Sequence, residues 1–279
     1  MRDIRLFSSM LAVSLVAGCG GPITRSDAPV AHVVDGAEAV AAMPSVMPAP
    51  VETPAVPDLQ QRLQKLAPGL DAGVLALALE ARACALRNGQ ADEQARLAVI
   101  DYSRPSTAKR MWVFDMARER LLHHEHVAHG SGSGQNMATR FSNVEGSHAT
   151  RLGLFRTAET YIGGNGYSLR MDGLDPGFND NARMRAIVIH GAWYANPDMI
   201  AKQGRLGRSQ GCPALREGIA RQVIDNLKGS QLVFSYAEDA AWLERSRHFG
   251  CRGRTARQIV ASARAVRGGS LPVVATAVP

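Results

Sequence analysis

The chain has 279 residues, 46% hydrophobic and 20% charged, a composition that excludes a disordered polymer and leaves room for a buried core with appendages. A formal net charge of +7 attracts polyanions, nucleic acid and anionic wall polymers alike, so charge does not choose between them. Four cysteines without a CxxC spacing argue against a zinc-cysteine site.

Residues 1–19 carry Arg2 and Arg5, then an apolar run from Leu6 to Val16, then Val16-Ala17-Gly18-Cys19. Basic n-region, short apolar h-region and small residues at the end form an export signal. The run is too short to span a bilayer as a mature helix. Its end resembles a bacterial lipobox, which makes Cys19 the expected lipid-bearing residue. An ordinary secretory signal cut nearby is the alternative. Gly20, rather than Asp, follows Cys19, which favours an outer-membrane anchor, and the export signal itself counts against nucleic acid as a partner.

Residues 20–57 are rich in Pro and Ala, with Pro22, Pro29, Pro44, Pro48, Pro50, Pro54 and Pro57 at irregular intervals. Proline at that density denies the segment a helix or central strand and makes it a tether. Residues 58–94 change to leucines at helical intervals broken by Pro68-Gly69, which predicts two helices, the second capped by Asp71 and ended by Gly89. From residue 95 to 250 the pattern is of short strands: Leu97–Tyr102, Arg110–Met116, Arg120–His129, Gly153–Thr157, Tyr167–Met171, Ala186–Ile189 and Gln231–Tyr236. Helices are expected over Arg216–Lys228 and Ala237–Arg247, and residues 251–279 read as a basic, partly disordered tail, helical over Arg252–Arg267.

The strand Ala186–Ile189 delivers His190 and Gly191 at its end, and Ser209-Gln210-Gly211-Cys212-Pro213 holds a thiol in a Gly-flanked turn. A cysteine becomes a good nucleophile as the thiolate, and a nearby imidazole is the usual means of making one. Each residue alone is more often structural. The conjunction makes His190 and Cys212 the candidate pair, with Gly211 allowing a substrate backbone close and the following helix offering its N-terminus to Cys212.

These residues resemble the catalytic signature of the L,D-transpeptidases of bacterial cell walls, the YkuD-like domains. The run His190-Gly191-Ala192-Trp193-Tyr194, followed by Gly204-Arg205-Leu206-Gly207-Arg208-Ser209-Gln210-Gly211-Cys212-Pro213-Ala214, is closer still to the murein L,D-transpeptidase subfamily, with Ser-Gln-Gly-Cys-Pro in place of Ser-His-Gly-Cys. The resemblance extends upstream through Val99–Ser106, Val127–Gly130 and Gly177–Arg183, covering roughly residues 95–236. It implies a mainly β, sandwich-like fold with a few helices, preceded here by the short helical segment.

The resemblance also implies a mechanism in which Cys212 is acylated by a peptidoglycan stem peptide, with His190 as base. Backbone N–H groups around Gly211 and Cys212 are then the expected oxyanion site, and Gly191 and Ser209 supporting residues. Arg208 and His129 are candidate substrate contacts. No metal or organic cofactor is implied, and carbapenem β-lactams are expected covalent inhibitors. Hydrolysis of the same thioester, as a carboxypeptidase or endopeptidase, or silent wall binding are the competing readings. Cys84 and Cys251 are left over, joined as a disulfide or free.

Two features stand apart. Arg151, after Thr150, replaces the Pro that many relatives carry, which makes that position a poor guide to substrate contacts. His123, His124, His126 and His129 crowd one strand, but period-2 alternation divides them between its faces, against a single metal site.

Overall fold

The computed structural model describes residues 58–267; the expected export signal, the tether and the 268–279 end of the tail lie outside the described residues. Helix α1 (Leu59–Leu66) and α2 (Ala72–Arg87) form on either side of Pro68-Gly69. Asp71 caps α2 as expected, its carboxylate accepting from the N–H groups of Gly73 and Val74. Asp58 does the same for α1 through Gln61 N–H at 2.8 Å.

The strands are β1 (Leu97–Asp101), β2 (Met111–Asp115), β3 (Arg120–Glu125), β4 (Gly153–Gly163), β5 (Gly166–Gly173), β6 (Val188–Gly191), β7 (Ala214–Leu215) and β8 (Leu232–Tyr236). The later helices are α3 (Asp198–Gln203), α4 (Glu217–Leu227), α5 (Ala240–Arg245) and α6 (Ala256–Arg267). All eight strands belong to one sheet in the order β3-β2-β1-β8-β4-β5-β6-β7. The β1/β8 and β6/β7 pairs are parallel; the other pairs are antiparallel.

Strands β1, β2 and β8 are buried along their full length, so they read as unbroken apolar runs rather than alternating ones. Helix α2 lies on β1 and β8, and α4 lies on β5 and β6. At the sheet's two edges, Ala128 bridges Ala214 and Gly130 bridges Ser209. The chain leaving β3 therefore meets β7, and the sheet closes on itself instead of exposing two edges. This is the mainly β, helix-prefixed architecture expected.

Several bounds differ from expectation, each for a physical reason. Strand β3 ends at Glu125, beyond which the chain turns to make the closing bridges. Strands β4 and β5 run longer than their apolar cores because Gly163 and Gly166 pair across a short turn, extending a hairpin into solvent. The helix expected over Arg252–Arg267 starts at Ala256 and is packed down: Ala256, Ile259 and Ala263 are buried, α6 packs on α2, and Arg264 pairs with Asp71 at 3.1 Å.

A disulfide joins Cys84 of α2 to Cys251, across a sequence separation of 167. Cys84→Ser is expected to cost the oxidised protein about 2–4 kcal/mol through the freed unfolded chain. The check is thermal melting with and without dithiothreitol. The variant should melt below the oxidised wild type and level with the reduced one; equal melting of the oxidised proteins would exclude the bond's contribution.

Candidate active site

The turn that carries Cys212 is organised by one hydroxyl. Ser209 Oγ donates to the Cys212 carbonyl at 2.6 Å and accepts from Gly211 N–H at 3.1 Å. Ser209's own backbone is fastened to the closing seam, its N–H donating to His129 O at 3.0 Å and its carbonyl accepting from Ser131 N–H at 2.8 Å. Thr150 completes the frame, with Oγ1 accepting from Gly130 N–H at 2.9 Å and donating to Gly211 O at 3.5 Å.

Gly211 is required for a different reason from the one expected. Its φ is +117°, and a Cβ there would stand 2.9 Å from Ala149 O and 3.2 Å from Ile187 Cδ1. The protein's own backbone and the Ile187 side chain close on it. Its N–H is moreover bonded to Ser209, so the oxyanion expectation for Gly211 is revised. The N–H groups of Gln210 and Cys212 are the two in this turn left without a hydrogen-bond partner among the described residues.

His190 is fixed from both sides. On β6 it stands opposite Ala214 of β7, two residues beyond Cys212, so the imidazole and the thiol come from adjoining parallel chain segments. Its Nδ1 lies 2.9 Å from Gly191 O. A carbonyl only accepts, so Nδ1 carries the proton and Nε2 has a free lone pair. Burial lowers the imidazole's pKa, with the Gly191 bond opposing, and keeps the ring neutral at neutral pH. Gly191 in turn fits under α4, where a Cβ would meet Ala220 Cβ at 3.0 Å. Helix α4 starts at Glu217 with Arg216 as its N-cap, as expected, and β7 lies between it and Cys212; its first turn is built around Gly191.

The Cys212 thiol is buried and is the free cysteine of the described residues. It donates to Ala186 O at 3.9 Å, and no hydrogen bond joins it to His190. Ala186 holds φ at +50°, a left-handed conformation costly for a residue with a Cβ, and this turns its carbonyl toward the sulfur. Burial raises the thiol's pKa; Val188 N–H and the charges of Arg151 and Arg185 oppose it. The resting pair is thus a thiol and a neutral imidazole.

The remaining expected contacts fall elsewhere. His129 is fully buried, with Nδ1 at 2.8 Å from Arg110 Nη2, and burial together with that guanidinium pushes its pKa down to about 3. It is a neutral core residue of the seam, closed off from solvent. Arg208 clamps Gly134 O at 3.0 Å. Gln210 is exposed.

Of the histidine-rich strand, His124 stacks on Trp112 with centroids 4.8 Å apart, His126 faces Thr107 O and His123 faces Asn226. Among the described residues the one convergent set of metal-type ligands is Glu80, Cys84 and Cys251, whose sulfurs are already joined to each other.

A closed, mainly β domain with N-terminal helices and this order of motifs is an L,D-transpeptidase fold. The L,D-transpeptidase catalytic domain family matches residues 66–236, more than half of the chain, and the protein belongs to that family. No curated protein matches it. Among solved structures it is similar to an L,D-transpeptidase from Mycobacterium smegmatis, at 15% identity and a TM-score of 0.33, covering 51% of this chain and 59% of that one. It is also similar to an L,D-transpeptidase from Stackebrandtia nassauensis, at 13% identity and a TM-score of 0.32, covering 65% of this chain and 77% of the other. A third, LD transpeptidase LdtMt1 in complex with imipenem, matches at 15% identity and a TM-score of 0.30, covering 51% of this chain and 59% of that chain. The protein thus spans less than two thirds of the first of these, at 59%.

Gly211→Ala tests the turn. A positive φ and a sub-contact Cβ together are expected to destabilise the fold by about 1–3 kcal/mol. Chemical denaturation should show this loss, with Gly146→Ala, where a Cβ meets nothing at the same sign of φ, costing less.

Proposed function

We propose that the protein is a cysteine-dependent L,D-transpeptidase that crosslinks peptidoglycan stem peptides through a thioester at Cys212. The observation that carries this reading is the tautomer fixed at His190, which leaves an unprotonated Nε2 on the segment beside a free, buried thiol. His190 Nε2 takes the Sγ proton, and sulfur attacks the carbonyl of the bond between an L and a D centre. The S–C bond forms, the C–N bond breaks, and the imidazolium returns its proton to the departing D-amino acid. An amine of a second stem then displaces sulfur, and its proton restores the thiol.

Cys212 N–H is the proposed donor to the tetrahedral oxyanion, a contribution of about 3–4 kcal/mol where water is excluded. The approach of imidazole to thiol is a step of substrate binding in this scheme, since catalytic hydrogen bonds commonly tighten only then. Ala186 O is the partner that the sulfur must leave.

An extracytoplasmic setting fits the same reading. The Cys84–Cys251 disulfide supports an oxidising compartment, and the basic, apolar and small-residue run ending at Cys19 supports export and lipid anchoring at the outer membrane. No described helix is long and apolar enough to cross a membrane.

Incubation of the full chain with muropeptides, followed by mass spectrometry, tests the reaction. Crosslinked dimers are expected; shortened monomers would establish hydrolysis, and unaltered material retained on the protein would establish wall binding alone. Cys212→Ala should lose both dimers and the covalent adduct with a carbapenem while keeping the wild-type melting temperature. Labelling that persists in the variant would move the nucleophile elsewhere.

Since burial depresses His190, its neutral form survives below the ordinary imidazole value of 6.5, and the acid limb of kcat/KM should have its midpoint there. A midpoint above that value would remove the neutral ring from the mechanism.

A further inference from the structure

Arg151 is a charge without an answering charge. Its side chain is 1% exposed, its Nε donates to Asn143 Oδ1 at 3.1 Å, and both terminal nitrogens are buried with no hydrogen-bond partner among the described residues. Asn143 passes the contact to Asp180 Oδ1 at 2.7 Å, so that carboxylate is reached only at second hand. Five donors in a fixed fork are seldom buried so incompletely satisfied.

The chain brings Arg151 to the turn that carries the sulfur. Arg151 follows Thr150, which hydrogen-bonds the Gly211 carbonyl, while Ala149 O lies against Gly211. From the other side comes Arg185, next to Ala186, the acceptor of the thiol; its Nη1 donates to Ser142 O at 2.7 Å, and Glu145 lies near it. The two guanidiniums repel each other, and each is drawn to negative charge at Cys212.

The other titratable groups facing the thiol are His190 on β6, Tyr102 at the end of β1 and Tyr194 after β6. None offers a standing cation. His190 is held neutral by burial, and burial raises both phenols, Tyr194 to about 12. Arg110 stands farther back, over the Tyr102 ring at 5.0 Å.

A carboxylate of a substrate does not reach nitrogens that are shut from solvent. A thiolate at Cys212 is already inside. Resting on the assignment of Cys212 as nucleophile, we propose that Arg151, assisted by Arg185, is a positioning residue that supplies the standing countercharge to the Cys212 thiolate. When the Sγ proton passes to His190, the sulfur's negative charge faces a guanidinium fork that has no other anion to hold.

The test follows alkylation of Cys212 by iodoacetamide across pH in the full chain, read by mass spectrometry of the Cys212 peptide. Because the reagent is neutral and no stem peptide is present, the result is independent of whether the enzyme transfers, hydrolyses or only binds. Arg151→Met is expected to move the alkylation midpoint up by about one pH unit and to slow alkylation near neutrality about tenfold. Arg151→Lys should restore most of the rate, and Arg185→Met, at a half-exposed position, should shift the midpoint in the same direction by less.

A wild-type midpoint in Arg151→Met and Arg185→Met overturns the proposal. So does a lowered melting temperature without a shifted midpoint, which would leave Arg151 a purely structural role. If Arg151→Met fails to fold, Arg185→Met decides. An unshifted midpoint with a raised KM for stem peptides would assign the arginines to a substrate carboxylate instead.

Discussion

The site depends on the hydroxyl of Ser209, which spans the turn from Gly211 N–H to the Cys212 carbonyl and so fixes the backbone on either side of the thiol. That turn has almost no regular structure of its own to hold it. What holds Ser209 is the seam where the sheet closes, through His129 O and Ser131 N–H. A domain that left its sheet open would have the same residues in the same order and no fixed place for the sulfur. Closure of the sheet and placement of the thiol are therefore one constraint, met by small residues, Gly130, Ser131, Ser209 and Gly211, because larger ones would hold the two strand ends apart.

Electrostatics at the thiol run against ionisation in the resting state and in favour of it once a proton acceptor arrives. Burial is the largest effect on Cys212 and favours the protonated form, as does a carbonyl within hydrogen-bond reach. The opposing influences are one backbone N–H and two guanidiniums. A neutral imidazole adds no charge until it takes the proton. The site is thus quiet at rest, with a polarised environment that becomes useful only on proton transfer, as expected of preorganised charge. An unpaired buried guanidinium costs a few kcal/mol of stability, and such a cost is borne where it serves a charge that appears during reaction.

How much of this was legible in the sequence follows from the range of the interactions involved. Helices α1, α2 and α4 showed in apolar spacing and in Asp71, since caps and amphipathic faces are written within a few residues. The strands showed as apolar runs, with ends misplaced where pairing rather than composition sets them, as in β4 and β5. Strand β7 has two residues and exists only because β6 and Ala128 pair with it, so no local pattern announces it. His129 looked like a contact residue because it stands at a strand end; the guanidinium of Arg110, nineteen positions away, makes it core. Nothing local to Arg151 reveals that Arg185 and Cys212 approach it. The Cys84–Cys251 pairing was one of two open readings, and the packing of α6 on α2 is what brings those cysteines together.

The helical layer and the site occupy different parts of the same sheet. Helix α2 covers β1 and β8 and is fastened to the α6 segment by the disulfide and by Arg264 with Asp71, whereas the thiol and imidazole lie on β6, β7 and the closing seam. The two regions are joined through β8, β4 and β5 by continuous hydrogen-bonded pairing and a shared core. Loosening α6 removes buried surface from one side of the central strands and leaves every hydrogen bond of the Ser209 turn in place. Global stability and site geometry are therefore separable: the first draws on the helices and the disulfide, the second on the seam, and only residues on the seam, such as Gly211 and Thr150, belong to both.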